Sequence, residues 1–483
     1  MKDRREFLKA SLAGGSLLLA KASLAAASSY VAPSPLPQSS SEKDDPWNQV
    51  SQILARIKPP VFPKRNFEIS AFGAIGDNQT DCTQAFHKAI VACNEAGGGR
   101  VVVSSGQYLT GAIKLLSNVN LHVSQGATVR FTHDTSKYPL VFTRWEGTEL
   151  MNYSPFIYAF EQENIGITGS GTIDGNADCD HWWSWKATAN CGGKPGGVSQ
   201  DEDRNKLHDL AERGVPVSER VFGEGHYLRP TFIEPYRCKN VLIEEVKLLN
   251  SPMWHVHPVL CTNVIVRKLA INSSGPNTDG CDPECCADVL IEECSFDTGD
   301  DCIAIKSGRN ADGRRVNTPS QNIIVRNCHM KNGHGGVSIG SEITGGVNHV
   351  FAEDFTLDTQ YREAAAIRIK NNAMRGGVIE HIYGRNIEVA QAGLAGLSID
   401  FHYEEGENGK FTPVARNVEI QRLKTQKAQY ALYLRGFANA PIENVRVKDC
   451  DFEGIAKPDV IENVKNLSFV DVKENGKVVD RRG

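Results

Sequence analysis

A surplus of either charge is missing from this chain: 53 basic residues stand against 58 acidic ones in 483, a formal net charge of -5. That balance implies no nucleic-acid partner, and any handling of a polyanion must rest on positive charge gathered locally. Long hydrophobic runs are missing too; nowhere does an apolar stretch reach the roughly 18 residues of a membrane span. Metal-type cysteine spacing is absent, because Cys281, Cys285 and Cys286 have no partnered C-x-x-C. Hairpin-turn signals are scarce, which excludes a propeller. What is present is a 40% hydrophobic content, enough for a sizeable core, and 13 cysteines, an odd number that leaves at least one unpaired.

The first residues read Asp3-Arg4-Arg5-Glu6-Phe7-Leu8-Lys9, then a weakly apolar stretch from Ala10 to Ala20, then Ala25-Ala26-Ala27. A charged start, a short apolar run and small residues at the end predict an export signal over 1-27, of twin-arginine type by its arginine pair. The protein is then expected in the periplasm or outside the cell, with no membrane association after signal removal. Residues 28-60, rich in Ser, Pro and Ala, read as a flexible linker.

From residue 61 to 483 the pattern is that of one domain. Ala85, Phe86, Ala89, Ile90 and Cys93 have helical spacing and end at glycines 97-99, which predicts an N-terminal capping helix. Then one motif recurs: Asn or another polar residue, an alternating apolar run, a polar turn. It appears as Asn164-Ile165-Gly166-Ile167, Asn240-Val241-Leu242-Ile243, Asn263-Val264-Ile265-Val266, Asp288-Val289-Leu290-Ile291 and Asn322-Ile323-Ile324-Val325, and returns at Asn417 and Asn444. Short, loosely kept periods of strands with few helices predict an all-β solenoid, a parallel β-helix. Cys294, Cys328 and Cys450 fall five residues after the first apolar residue of their repeats, where others hold Val246, Leu269, Phe355 and Leu423. Those cysteines are therefore expected in an interior ladder, as small hydrophobes. Cys179 and Cys191 lie outside it and are free to pair. An insertion from about 174 to 230 breaks the period; its His181-Trp182-Trp183-Ser184-Trp185 suits either stacking on sugar rings or capping a hydrophobic edge.

Polar chemistry concentrates within about four coils, at Asn277-Thr278-Asp279-Gly280, Gly299-Asp300-Asp301, Gly333-His334-Gly335 and Arg368-Ile369-Lys370. Asp279 and Asp300 are 21 residues apart, about one coil, and stacked coils sit roughly 4.8 Å apart. Carboxylates that close raise one pKa, leaving a proton donor beside an ionised base, the pair that glycoside hydrolysis requires. Arg368 and Lys370 share a strand face and suit a substrate carboxylate. Taken singly, Asp-Gly and Gly-Asp-Asp are ordinary turn sequences, and they lack the alternation of a calcium loop. Adjacent Asp300 and Asp301 would face opposite ways on an ideal strand, so a bend or strand end is expected there.

These four motifs, in this order, resemble glycoside hydrolase family 28, the polygalacturonases, over roughly residues 61-475. The resemblance implies a single right-handed parallel β-helix that hydrolyses α-1,4-galacturonosidic bonds with inversion and without metal or other cofactor. It implies Asp300 as general acid, Asp279 and Asp301 as the pair that holds and deprotonates water, and His334 as a support for the acid. Asn277, Arg368, Lys370 and Tyr403 then bind an acidic polysaccharide or oligogalacturonide. The long insertion points to exo action, and a monomer is expected. The alternatives are a rhamnogalacturonan or xylogalacturonan hydrolase of the same fold, a β-helical pectate lyase, and a non-catalytic glycan-binding solenoid.

Overall fold

The structure, a computed structural model, describes residues 45–186, 191 and 198–480. The expected export signal and the first part of the expected linker lie outside the described residues.

Successive repeats stack as parallel strands in register. One row runs Val101, Leu121, Ile167, Ile243, Val266, Ile291, Val325, Ala352, Gly384, Ile420, Val447 and Phe469, each paired with the next. A second row, on another face of the coil, runs Ile157, Ile233, Val256, Cys281, Ile303, Val337, Ile367, Leu397 and Leu432. These residues are buried and form one continuous core. The coil is right-handed, the sense that parallel crossovers between twisted strands take. Every second residue of a strand points inward, so a period-2 apolar pattern fills the interior and leaves its neighbours to line the outside.

The asparagines that open the repeats have a physical reason. Asn164, Asn240, Asn263, Asn322, Asn417 and Asn444 all sit at positive φ, between 54° and 58°, a conformation that Asn tolerates better than most side chains. Their amides also bond from coil to coil, Asn240 to Asn164 at 2.8 Å and Asn263 to Asn240 at 2.7 Å among them. Inside, Cys294, Cys328 and Cys450 are buried as the ladder predicts. A second cysteine column links Cys238, Cys261 and Cys286 through backbone N–H to sulfur contacts of 3.4 Å. Cys179 and Cys191 form a disulfide.

Helix α1 (Asn48–Arg56) corrects the linker expectation for residues 46–60. Trp47, Val50, Ile53 and Ile57 are buried against Leu242, Ile265, Leu290, Ile324, Phe351 and Tyr383. Those six form one outward-facing row of the long sheet, and an apolar outer row is stable only when something covers it. Helix α2 (Thr83–Glu95) buries Ala85, Phe86, Ala89, Ile90 and Cys93 into the core at the start of the stack. No helix among the described residues is long and apolar enough to cross a membrane.

Candidate active site

The aspartates sit where strands end. Asp300 and Asp301 occupy the bend between strands Ser295–Thr298 and Ile303–Ile305, so both side chains turn to one side, as the adjacent pair required. Asp279 lies one coil earlier. The register of Cys281 with Ile303 sets Asp279 opposite Asp301, however, and not opposite Asp300; a coil here is 22 residues, one more than the spacing used to align the carboxylates. Oxygens of all three carboxylates lie within 4.8 Å of one another. Gly335 makes this possible, since a Cβ there would stand 2.3 Å from Ser338 Oγ and 3.1 Å from Asp301 Oδ1.

Each sequence-predicted partner converges on this cluster. His334 Nδ1 is 3.0 Å from Asp300 Oδ1, and Asn277 Nδ2 donates to Asp300 Oδ2 at 3.4 Å. Lys370 Nζ donates to Asp301 Oδ2 at 2.6 Å, and Ser338 Oγ to Asp301 Oδ1 at 2.8 Å. Arg368 reaches the His334 carbonyl at 3.3 Å and Glu363 at 2.8 Å. The Tyr403 ring packs beside both cations, 5.7 Å from the Arg368 guanidinium and 5.5 Å from Lys370 Nζ. Arg368 and Lys370, two apart on the strand Ala365–Lys370, reach Asp301 at 3.9 and 2.6 Å, so they share the face that their spacing predicts.

Three neighbours were not legible as site residues. Lys306, buried, lies 3.5 Å from Asp282, 3.3 Å from Glu342 and 4.0 Å from Asp279. It supplies the positive charge on the Asp279 side, as Lys370 does for Asp301. Asp282 is fully buried and its pKa is pushed up to about 7, burial being the main cause and Lys306 opposing it. Arg229, from the insertion, donates to Asn277 Oδ1 at 2.7 Å. The only available signal was proximity to the Asn277-Thr278-Asp279 motif for Asp282.

Charge in the site is ordered by burial and by these partners. Burial pushes the Asp279 carboxyl well above its ordinary value, with Asp282 and Asp300 adding to it against Lys306. Burial also acts on Asp300, but the hydrogen bond and charge of His334, with Lys370, outweigh it and hold that carboxyl below the usual range. His334 moves the other way: burial lowers it, and Asp300 and Asp301 raise it above 6.5 overall. Both shifts favour the imidazole over the carboxyl as the protonated partner of the His334–Asp300 contact.

The surface on the two sides of the cluster differs. Toward earlier coils, the outward row carries Glu234 and His257, with Glu284 two positions beyond, all fully buried. A hairpin, Leu140–Trp145 with Thr148–Tyr153, lies over them. Thr143 bonds Glu234, and Arg144 pairs with Glu284 at 3.0 Å. His257, bridging Glu234 at 3.2 Å and Glu284 at 2.9 Å, has its pKa raised to about 9 by the two carboxylates against burial. At the hairpin tip, Glu146 meets Arg204 of helix α3 (Asp201–Glu212) at 2.8 Å and Arg309 at 3.7 Å. The indoles of the insertion serve packing: Trp182 and Trp183 are buried in the core, and Trp183 Nε1 bonds the Ser251 carbonyl at 2.8 Å. Toward later coils an open cleft of about 640 Å³ begins at Arg368 and Lys370 and continues past Tyr403, Tyr430, Tyr433 and Lys457.

Stacked parallel coils that carry a carboxylate cluster, a paired histidine and two cations at the head of one cleft define a β-helical glycoside hydrolase. The profile of glycosyl hydrolases family 28 matches residues 223–472, and the chain belongs to that family. It is similar to a hyperthermoactive exopolygalacturonase of Thermotoga maritima, 43% identical over 90% of this chain and 98% of that one, with a TM-score of 0.85. A probable polygalacturonase of Vitis vinifera is 28% identical over 405 residues, 80% of this chain and 74% of the relative. An endo-polygalacturonase of Pectobacterium carotovorum subsp. carotovorum is 27% identical over 379 residues, 76% of this chain and 83% of the relative.

Proposed function

We propose that this enzyme hydrolyses the α-1,4-galacturonosidic bonds of polygalacturonate from a chain end, with inversion. One observation carries the substrate: Arg368 and Lys370, which lie 3.9 and 2.6 Å from Asp301, also line the neighbouring cleft with Tyr403, so two cations suited to a uronate carboxylate stand between it and the aspartates. Water held between Asp279 and Asp301 attacks the anomeric carbon and gives them its proton. The leaving glycosidic oxygen takes its proton from Asp300, which receives that proton from His334, 3.0 Å away. Inversion rests on the family's chemistry, because the cluster is tighter than the roughly 6.5–9.5 Å usual between an inverting pair. Chain-end action is supported by the hairpin and the insertion, whose buried ion pairs fill the groove ahead of the aspartates while the other side stays open.

Asp279, Asp300, Asp301 and His334 are the catalytic set in this reading, and Asn277, Arg368, Lys370 and Tyr403 bind substrate. The protein acts as an exported monomer without a cofactor. Incubation with polygalacturonate and with rhamnogalacturonan tests it, followed by NMR of the first-formed anomer. Saturated products from polygalacturonate with the anomer inverted support the proposal. A retained anomer, ultraviolet-absorbing unsaturated products, or preference for rhamnogalacturonan contradicts it.

A further inference from the structure

Arg229, next to the end of the insertion, is fully buried, yet every partner of its guanidinium is neutral. Nε donates to Gln200 Oε1 at 2.9 Å, Nη1 to the carbonyls of Pro252 at 2.8 Å and Pro276 at 2.7 Å, and Nη2 to Asn277 Oδ1 at 2.7 Å. Among the described residues no carboxylate forms an ion pair with it. Its own carbonyl accepts from Trp145 Nε1 at 3.0 Å, which ties the hairpin to the same point. Burying a guanidinium without a counter-charge is costly, and the usual remedy is a carboxylate. Here the negative charges that act on it are Glu146, Asp300 and Asp279 at longer range.

Two consequences follow. Arginine only donates, so Asn277 must turn its amide oxygen to Arg229 and its NH2 away, toward Asp300 at 3.4 Å. And in a dry interior a charge without a partner acts on neighbouring carboxylates with little screening. We propose that Arg229 is a positioning residue for the reaction: it locks the orientation of Asn277 and keeps one unneutralised positive charge behind the catalytic carboxylates. Gln200, at the start of helix α3, and the hairpin residue Trp145 hold Arg229 in place, so the segments that fill the groove also arm the catalytic cluster. The lowered pKa of Arg229, about 10 and caused by burial, accords with a cation that no carboxylate neutralises.

This inference rests on the proposed function only in taking the three aspartates as catalytic. The test compares Arg229→Met and Arg229→Lys, using the pH dependence of kcat/KM on polygalacturonate and ¹³C-NMR titration of the aspartate carboxyls, which needs no turnover. Loss of a positive charge raises the pKa of nearby carboxylates. Arg229→Met is therefore expected to move the acid limb and the carboxyl titrations up by roughly half to one pH unit. Its kcat is expected to fall about tenfold, with KM little changed. Arg229→Lys keeps the charge but cannot serve four acceptors, so its titrations stay in place while kcat still falls. Unmoved titrations in Arg229→Met, or an equal displacement in Arg229→Lys, overturn the proposal. Should Arg229→Met not fold, Arg229→Gln replaces it as the neutral variant: carboxyl titrations raised above those of Arg229→Lys support the proposal, while equal titrations in the two, or wild-type kcat in Arg229→Lys, overturn it. Absence of turnover by the wild type on polygalacturonate would instead contradict the functional reading, leaving the NMR arm to stand by itself.

Discussion

Three aspartates share one small volume, and their neighbours divide the roles. Lys370 and Ser338 donate to Asp301, and His334 donates to Asp300. If Asp300 is the acid, Asp300→Asn is expected to lower turnover of the polymer about a thousandfold but to spare a galacturonide whose leaving group needs no proton. Asp279→Asn is expected to lose both. Burial makes Asp279 the harder of the two to ionise, so rescue of Asp279→Asn in place of Asp300→Asn would exchange the roles. A second expectation concerns pH. His334 is raised above 6.5 by Asp300, so the proton it keeps for the acid is present below that raised value and lost as pH rises through it. Activity should fall on that alkaline side, and His334→Ala should remove the limb from the kcat profile; an unchanged limb would separate His334 from the acid. Seven of the eight predicted site residues came from the order of four motifs and Tyr403 from the family resemblance, and the structure brings all eight together. Lys306 and Asp282 were not legible, since a buried ion pair between successive coils leaves no pattern in a single sequence.

Elements tell a similar story of partial legibility. The coils could be read because the inward positions repeat as apolar residues and the turn before them repeats as Asn at positive φ. Even so, the one-residue error in aligning Asp279 shows the limit: counting residues does not fix register, because turn lengths vary from coil to coil. Helix α1 was hidden by the Ser- and Pro-rich composition around it. A signal for it existed, since Leu242, Ile265, Leu290 and Ile324 are apolar at outward positions, and an outward apolar row calls for a cover. Trp47 anchors that cover, with its ring 5.5 Å from Phe351 and the Arg385 guanidinium 3.8 Å above it. Trp47→Ala is expected to cost about 3 kcal/mol locally. Amide hydrogen exchange should therefore quicken at Leu242, Ile265, Leu290, Ile324, Phe351 and Tyr383 while residues 301–306 stay protected. Uniform quickening would mean that the helix is not a separable cover.

At the scale of the whole molecule, one architecture does two jobs. A stack of coils offers a straight groove along its outer face, and nothing in the coil itself stops a polymer from lying across it. The stop comes from segments added to the coil. The hairpin Leu140–Tyr153 packs into the earlier half of the groove through Arg144 and Thr143, and helix α3 locks its tip through Arg204 and Glu146. The sequence pointed to the insertion of 174–230 for this purpose; the hairpin shares it, and was missed because its polar contacts are scattered along the chain. The claim that ties these scales together is hydrolysis of polygalacturonate from one end. Its most direct measurement is the size distribution of products in the first few percent of reaction on long polygalacturonate. The account predicts one short, saturated product from the start, with the remaining polymer almost undiminished in length. A ladder of mixed oligomers appearing while the polymer rapidly shortens would contradict it.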